Sequence, residues 1–140
     1  MDKLDHIKLP KIQNPKGDLF HLVKDTDVHF KGFGEAYITS IHADMIKGWK
    51  RHTQMQLCLT VVSGQVRFVG YDDGGFQTFL LEASFPSKLI VPPKRWFAFQ
   101  GIGDTNRILN IADMRHDPNE AENVPIETFS FLGWNASATG

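Results

Sequence analysis

A short basic stretch, "KGWKRH" at residues 47–52, combines residue types that can do chemistry on a charged ligand. His52 supplies an imidazole, and the ordinary histidine pKa of about 6.5 allows proton uptake and release near neutral pH. Lys47, Lys50 and Arg51 can neutralise phosphate groups, and Trp49 offers a flat surface for stacking. The stretch therefore predicts a proton-transfer site for an anionic ligand, with a solvated surface loop as the alternative.

The residues that follow this stretch alternate in polarity. At the strand period of two, one face carries polar groups and the other carries apolar side chains. The pattern places the polar set against either solvent or a polar cavity, and periodicity leaves both open. The polar set is His52, Gln54, Gln56, Cys58 and Thr60, and the apolar set is Met55, Leu57, Leu59 and Val61.

Short strands separated by turn residues run along the chain, a pattern typical of an all-β sandwich or barrel. "VVSGQV" predicts a hairpin at Ser63-Gly64, because glycine adopts positive φ without steric cost. "YDDGGF" predicts a second turn, and "NVPIETFSFLGW" predicts an edge strand or a dimer contact. The predicted strands are residues 19–24, 35–41, 57–62, 65–71, 76–81, 88–91, 96–100 and 107–111.

Length and composition are those of an ordinary globular chain. Its 140 residues predict one domain over 1–140, with a frayed tail at 135–140. A formal charge of -1 without a basic patch argues against a nucleic-acid partner. A single cysteine, Cys58, and the lack of an apolar run of about 20 residues predict a reducing compartment, no membrane partner and a cytoplasmic location.

The order of several motifs resembles the nucleotide-sugar branch of the cupins. The matching pieces are "NPKGDLF", "GEAYITSIHADMIKGWKRH", "LTVVSGQVRFVGYDDG", "LIVPPKRWFAFQGIGD" and "ILNIADMRHDPNE". They are similar to dTDP-4-dehydrorhamnose 3,5-epimerase and to the sugar 3,4-ketoisomerases, and cover roughly residues 12 to 120. The resemblance to this RmlC-like family implies a cupin jelly-roll β-barrel and a homodimer.

The metal-ligand positions of the general cupin motif can be compared with the residues of this sequence. Its pattern G-x(5)-H-x-H-x(3,4)-E-x(6)-G, counted back from Gly64, places Lys50 and His52 at the two histidines and Leu57 at the glutamate. Phe97 stands where the second motif has its histidine. A single imidazole does not hold a divalent ion in a catalytic site that needs about three protein ligands. The resemblance therefore predicts neither a metal nor another cofactor.

The same resemblance implies acid and base roles. His52 matches the second histidine of the ketoisomerase motif, whereas Lys50 replaces the first, so either His52 is the base, or Lys50 is, or catalysis is lost. We favour His52. Asp113 matches the family aspartate and is either an orienting carboxylate or a turn residue, while Met114 and Arg115 replace the tyrosines that donate protons in the epimerases.

A phenol and a set of binding residues complete the expected site. Tyr37 lies in the strand that begins with tyrosine in the ketoisomerases, and either it or Tyr71 is able to supply a hydroxyl. Cations and aromatic rings near the cavity mouth are expected to bind the nucleotide diphosphate. The predicted substrate-binding residues are Lys47, Trp49, Arg51, Gln54, Arg67, Tyr71, Arg95 and Trp96.

The sequence thus predicts a metal-independent epimerase or ketoisomerase. Its expected small-molecule substrate is a nucleotide-linked, dTDP-type 4-keto-6-deoxy sugar of surface-polysaccharide biosynthesis. Two alternatives stay open. One is a non-catalytic cupin that binds a sugar nucleotide or a partner protein, and the other is a small-molecule-binding cupin of unrelated metabolism.

Overall fold

The computed structural model describes residues 3–135, which form two antiparallel five-stranded β-sheets and their connections. The strands are β1 (Asp5–Lys8), β2 (Lys11–Ile12), β3 (Leu19–Phe20), β4 (Glu35–His42), β5 (Ile46–His52), β6 (Leu57–Ser63), β7 (Gln65–Asp72), β8 (Gly75–Glu82), β9 (Ser87–Val91), β10 (Trp96–Gly101), β11 (Thr105–Ala112) and β12 (Ala121–Asn123). Sheet I has the order β1-β9-β6-β11-β4 and sheet II the order β12-β5-β10-β7-β8. The short β2 and β3 pair separately, and one 3-10 turn spans Ile126–Thr128.

The main core lies between the two sheets. Leu57 and Leu59 of β6 face it from sheet I, and Phe68 and Phe97 face it from sheet II. Each of these strands alternates inward apolar with outward residues, as expected when both sheets bury one face. This packing holds the inner face of β5 opposite the inner face of β11.

A second apolar cluster covers the outer face of sheet II. Trp49 is fully buried there, and its indole Nε1 donates to the carbonyl of Ile126 at 2.9 Å. Phe129, Phe131 and Trp134 pack against it from the segment that follows β12. The expected edge strand is therefore wrong, because these three aromatics pack on their own sheet; the alternative of a dimer contact stays a prediction.

The all-β prediction is confirmed, and seven of the eight predicted strands match observed strands closely. The exception is the predicted strand at 19–24, of which only Leu19–Phe20 pairs. Four strands were not predicted: β1, β2, β5 and β12. The strand β5 was not predicted because its "IKGWKRH" sequence is basic and lacks the apolar alternation by which strands are recognised.

The predicted Ser63-Gly64 hairpin is wrong. β6 pairs with β9 and β11 in sheet I, whereas β7 pairs with β8 and β10 in sheet II, so the turn carries the chain between sheets. Gly64 does adopt a φ of +78°, and a Cβ there would collide with Asn106 Oδ1 and the carbonyl of Thr105. The turn chemistry was therefore predicted correctly, but the pairing was not. The second predicted turn does join a hairpin, with Asp72 opposite Gly75.

The predicted polar face is wrong at His52, because the strand does not continue from His52 to Leu57. β5 ends at His52 in sheet II and β6 starts at Leu57 in sheet I, so the alternation is reset between them. His52 consequently faces the same interior as Leu57 and Leu59, while Gln56 and Cys58 lie on the outer side of sheet I.

The C-terminal segment is ordered as far as the described residues extend. The backbone amide of Asn135 donates to Gln100 Oε1 at 2.9 Å, so the predicted fraying does not start at residue 135. Residues 136–140, the rest of that predicted tail, lie outside the described residues. Within 3–135, no helix has the length and apolar character needed to span a membrane.

Candidate active site

A cavity of about 350 Å³ opens between the two sheets. Its walls are the inner faces of β4, β6 and β11 on one side and of β5, β7 and β10 on the other. Apolar side chains form one part of the lining: Leu57, Leu59, Phe68, Phe97, Phe99 and Ile108. Polar side chains form the other part: Tyr37, Thr39, Lys47, Lys50, His52, Asn110 and Asn123. This mixture of an apolar wall with a few polar groups is typical of a small-molecule site.

His52 is held in this cavity by a buried carboxylate. Its Nδ1 lies 2.6 Å from Glu120 Oε1, and both side chains are less than a tenth exposed. Nδ1–H donates to the carboxylate, so Nε2 is the nitrogen that remains free to accept a proton. The imidazole also stacks against Phe97, with the ring centroids 6.3 Å apart. The arrangement fixes both the tautomer and the ring plane of a candidate base.

Glu120 is itself fixed by backbone donors. Its Oε2 accepts from the amides of Gln54 and Met55, each at 2.9 Å. Burial acts to raise the pKa of Glu120, but the hydrogen bonds from His52 and these two amides outweigh burial and hold the pKa below its ordinary value. The carboxylate therefore stays charged beside the imidazole.

Two lysines face the same cavity from β5. Lys50 lies two residues before His52, so the strand period places both on the inner face. Lys47 also lines the cavity, and its Nζ donates to the carbonyl of Ser40 on β4 at 2.8 Å. A register shift between β5 and β10 at Phe97 allows Lys47 to reach this side. The cavity thus carries two cations beside one imidazole.

Tyr37 and Asn110 form a polar pair on the opposite wall. They are directly paired on β4 and β11, and Asn110 Nδ2 donates to the Tyr37 hydroxyl at 2.7 Å. Burial raises the pKa of Tyr37, the charge of Glu35 adds to this, and the Asn110 hydrogen bond acts in the opposite direction. Because the net shift is upward, Tyr37 is a protonated phenol at neutral pH and can donate a hydrogen bond.

The structure brings four of the twelve predicted site residues together: Tyr37, Lys47, Lys50 and His52. Five others face the far side of sheet II, because they alternate with the inward residues of β5, β7 and β10. Trp49 is buried there, Tyr71 stacks on Phe129 and the Arg51 guanidinium lies 4.5 Å from the Trp96 ring centre. The five are Trp49, Arg51, Arg67, Tyr71 and Trp96; they do not line this cavity, and their role in binding substrate stays a prediction.

The remaining three predicted residues also lie outside the cavity. Gln54 is exposed in the loop after β5, and Arg95 pairs with Asp72 at 2.7 Å. Asp113 accepts from the amide of Gln56 at 2.9 Å, so it is the turn residue that the sequence offered as an alternative. The expectation that Asp113 orients His52 is wrong, because Glu120 does so.

Sequence reasoning missed Glu120 and Asn110. Glu120 follows "HDPN" in an irregular segment, and 68 residues separate it from His52, so no local spacing relates the two. Asn110 had a usable signal: in "RILNIA" it is a polar residue at an inward position of an otherwise apolar strand, between Ile108 and Ala112. A buried polar residue of that kind needs a hydrogen-bond partner and is an informative departure from an apolar core, so Asn110 could have been a candidate site residue.

The lining residues bear on the question of a metal. Lys50, Leu57 and Phe97 surround His52, and within residues 3–135 no group of three or more His, Cys, Asp or Glu side chains is arranged to hold a metal ion. The absence of a metal or other cofactor from the working protein stays a prediction.

Comparisons with known proteins identify the family and the fold of the chain. The family described as FdtA: WxcM-like, C-terminal, matches residues 2–124. No curated protein sequence matches the chain. A solved dTDP sugar isomerase from Desulfovibrio desulfuricans G20 is 26% identical, covers 96% of this chain and 94% of its own, and superposes with a TM-score of 0.83.

Two more distant structures show the same fold. A mutant of the 3,4-ketoisomerase QdtA from Thermoanaerobacterium thermosaccharolyticum, in complex with TDP-4-keto-6-deoxyglucose, is 18% identical, with coverage of 85% and 86% and a TM-score of 0.75. The rmlC epimerase of Mycobacterium tuberculosis is 15% identical, with coverage of 86% and 68% and a TM-score of 0.78. The predicted RmlC-like cupin fold is confirmed.

Proposed function

This chain belongs to the family FdtA: WxcM-like, C-terminal, and on that premise we propose that it isomerises a dTDP-linked 4-keto-6-deoxy sugar. The observation that carries the proposal is His52, whose Nδ1 is held by a buried carboxylate inside a cavity with two lysines. The similar dTDP sugar isomerase and the QdtA complex support the choice of substrate class.

The cavity suits such a ligand in size and polarity. Its volume of about 350 Å³ falls in the range of small-molecule sites, roughly 300 to 1,000 Å³. The apolar wall around Phe97 accommodates the deoxy sugar and excludes water, which strengthens electrostatic interactions inside. Lys47 and Lys50 attract the diphosphate as point charges.

The chemistry follows from the acidity of the carbon next to a carbonyl. His52 Nε2 removes the proton from that carbon, the C–H electron pair forms the enolate, and the Tyr37 hydroxyl donates a hydrogen bond to the enolate oxygen. Glu120 stabilises the imidazolium that results. His52 then returns the proton to a carbon, which regenerates a neutral base.

We favour keto migration over epimerisation. Epimerisation returns the proton to the same carbon on its opposite face, and the epimerases that this chain resembles use a tyrosine for that step. Met114 and Arg115 replace it here, and both line a surface cleft whose lining does not include His52. A single imidazole can instead move the proton between neighbouring carbons on one face, while the proton of the neighbouring hydroxyl passes to the former carbonyl oxygen. The old carbonyl then becomes a hydroxyl and the hydroxyl-bearing carbon becomes the new carbonyl.

Proton exchange tests the proposal directly. The protein is incubated in heavy water with dTDP-4-keto-6-deoxyglucose, and deuterium is followed by NMR. We expect deuterium next to the carbonyl and a product with its carbonyl at C3. His52→Asn should lower the rate about 10²- to 10⁴-fold, whereas His116→Asn, at an exposed histidine, should leave it unchanged. Exchange should persist in a chelator.

The other outcomes separate the rival functions. Deuterium at C3 or C5 with the carbonyl unmoved would identify an epimerase. Binding without exchange at any carbon would reject catalysis and leave a sugar-nucleotide-binding cupin. A larger loss in Lys50→Ala than in His52→Asn would make Lys50 the base. Cytoplasmic location and a role in surface-polysaccharide biosynthesis stay predictions.

A further inference from the structure

The Tyr37–Asn110 pair has a defined hydrogen-bond direction. Asn110 Nδ2 donates to the Tyr37 oxygen at 2.7 Å, and Asn110 is the one hydrogen-bond partner of Tyr37 among residues 3–135. An amide nitrogen donates and does not accept, so the phenol proton cannot go to it. The Tyr37 proton is left for another acceptor, and both side chains line the cavity.

The other end of the Asn110 amide is unsatisfied. Asn110 is only 4% exposed, and its Oδ1 is buried without a hydrogen-bond partner among the described residues. Buried acceptors without a donor are uncommon and costly, and those that persist often have a functional reason. Asn110 is therefore not explained by the packing of β11 alone.

We propose that Asn110 is a positioning residue, which fixes the direction of the Tyr37 hydroxyl so that its proton points to a ligand oxygen in the cavity. Donation from Asn110 also strengthens Tyr37 as a donor, because hydrogen bonds in a chain polarise one another. The amide supports negative charge on the phenol oxygen as charge develops on the enolate. This inference rests on the proposed function, in which that ligand oxygen is the enolate oxygen.

Reversing the hydrogen bond isolates this role. Asn110→Asp keeps the side-chain shape but replaces the donor with a carboxylate, which accepts the Tyr37 proton and removes it from the cavity. We expect kcat to fall about 10²- to 10³-fold with KM changed little, as for loss of an oxyanion donor. Asn110→Ala, which only frees the hydroxyl, should cost less.

A double-mutant cycle with Tyr37→Phe gives the decisive comparison. If Asn110 acts through the phenol, Asn110→Asp should have no further effect on kcat in the Tyr37→Phe background. An equal loss in both backgrounds would overturn the proposal, since the effect would then come from charge or folding.

A readout without substrate keeps the inference separate from the proposed function. The chain has two tyrosines, so labelling tyrosine with ¹³C at Cζ gives two signals, and Tyr71 in the outer cluster serves as the internal reference. The Tyr37 pKa should rise in Asn110→Ala and rise further in Asn110→Asp. Equal Tyr37 pKa values in all three proteins would overturn the inference. If wild-type protein shows no exchange but the pKa series appears, the proposed function fails while the hydrogen-bond direction stands.

Discussion

His52 and Glu120 are 68 residues apart in the sequence, yet their side chains meet at 2.6 Å. The contact follows from strand register: β12 pairs with β5, with Ala121 opposite His52 and Glu122 opposite Arg51. Glu120 lies directly before this pairing, and its second oxygen is held by the amides of the loop after β5. Backbone pairing therefore positions the Glu120 carboxylate that sets the tautomer of the candidate base.

Glu120→Gln should impair catalysis more than binding. The glutamine amide can donate to Nδ1, which moves the imidazole proton to Nε2 and removes the base from the cavity. We expect kcat to fall about 10²- to 10⁴-fold with KM nearly unchanged, as when an orienting carboxylate is replaced elsewhere. Steady-state kinetics on the dTDP sugar measures this.

Asp113→Asn is the matched control for that prediction. Asp113 accepts from the Gln56 amide and has no contact with His52, so the change should affect stability and not kcat. A normal kcat in Glu120→Gln, or an equal loss in Asp113→Asn, would contradict the assignment of Glu120 as the orienting group.

The Glu120 carboxylate should also make stability depend on pH. Its folded-state pKa is lowered, so its contribution is present above the unfolded-state pKa of about 4.3 and is lost as pH falls through the folded value. We expect wild type to exceed Glu120→Gln by about 1–3 kcal/mol in unfolding free energy near neutral pH. Urea unfolding over a pH series should show the gap closing below about pH 4. A gap that widens in acid would contradict the sign.

Much of the fold was predictable because its signals are local. Alternation and turn residues located β6 to β11, and Gly64 was correctly assigned its positive φ. The pairing across that turn was wrong, since turn chemistry does not tell whether the chain stays in its sheet. The strand β5 was missed because its basic sequence lacks apolar alternation, and its one buried aromatic, Trp49, is covered by the segment after residue 123.

The site was less predictable from the sequence, because the side of a sheet that each side chain occupies depends on the tertiary fold. Lys50 and His52 were placed correctly by motif, but Trp49 and Arg51 alternate with them and point outward. Proximity in sequence had suggested one cluster, whereas a strand separates neighbours onto opposite sides. Glu120 carried no local signal at all.

The outer aromatic cluster should contribute to stability and not to binding. Phe129→Ala removes a ring that stacks on Tyr71 with centroids 4.1 Å apart and also contacts Trp49 and Trp96. We expect the unfolding free energy to fall by about 1–3 kcal/mol, and the Kd for dTDP by calorimetry to stay within about twofold. Leu132→Ala, at a 94% exposed position, is the control that should change neither. Loss of dTDP affinity with stability intact would return this face to the binding site.

The homodimer expected from the family resemblance now has a different structural basis. The aromatics after β12 are occupied within their own chain, but β4 is an eight-residue edge strand of sheet I, and within residues 3–135 no strand pairs with its outer edge. Ile38 on β4 is 61% exposed. A long edge with an exposed apolar residue is a template for pairing with a second chain, and an antiparallel β4–β4 contact is self-complementary under a two-fold axis.

Light scattering at micromolar concentration should report a dimer, and Ile38→Lys should shift it towards monomer, because lysine on an edge opposes pairing. Val62→Lys, at a 49% exposed position on the interior strand β6, should leave the dimer intact. A wild-type monomer, or equal effects of the two lysines, would reject pairing through β4.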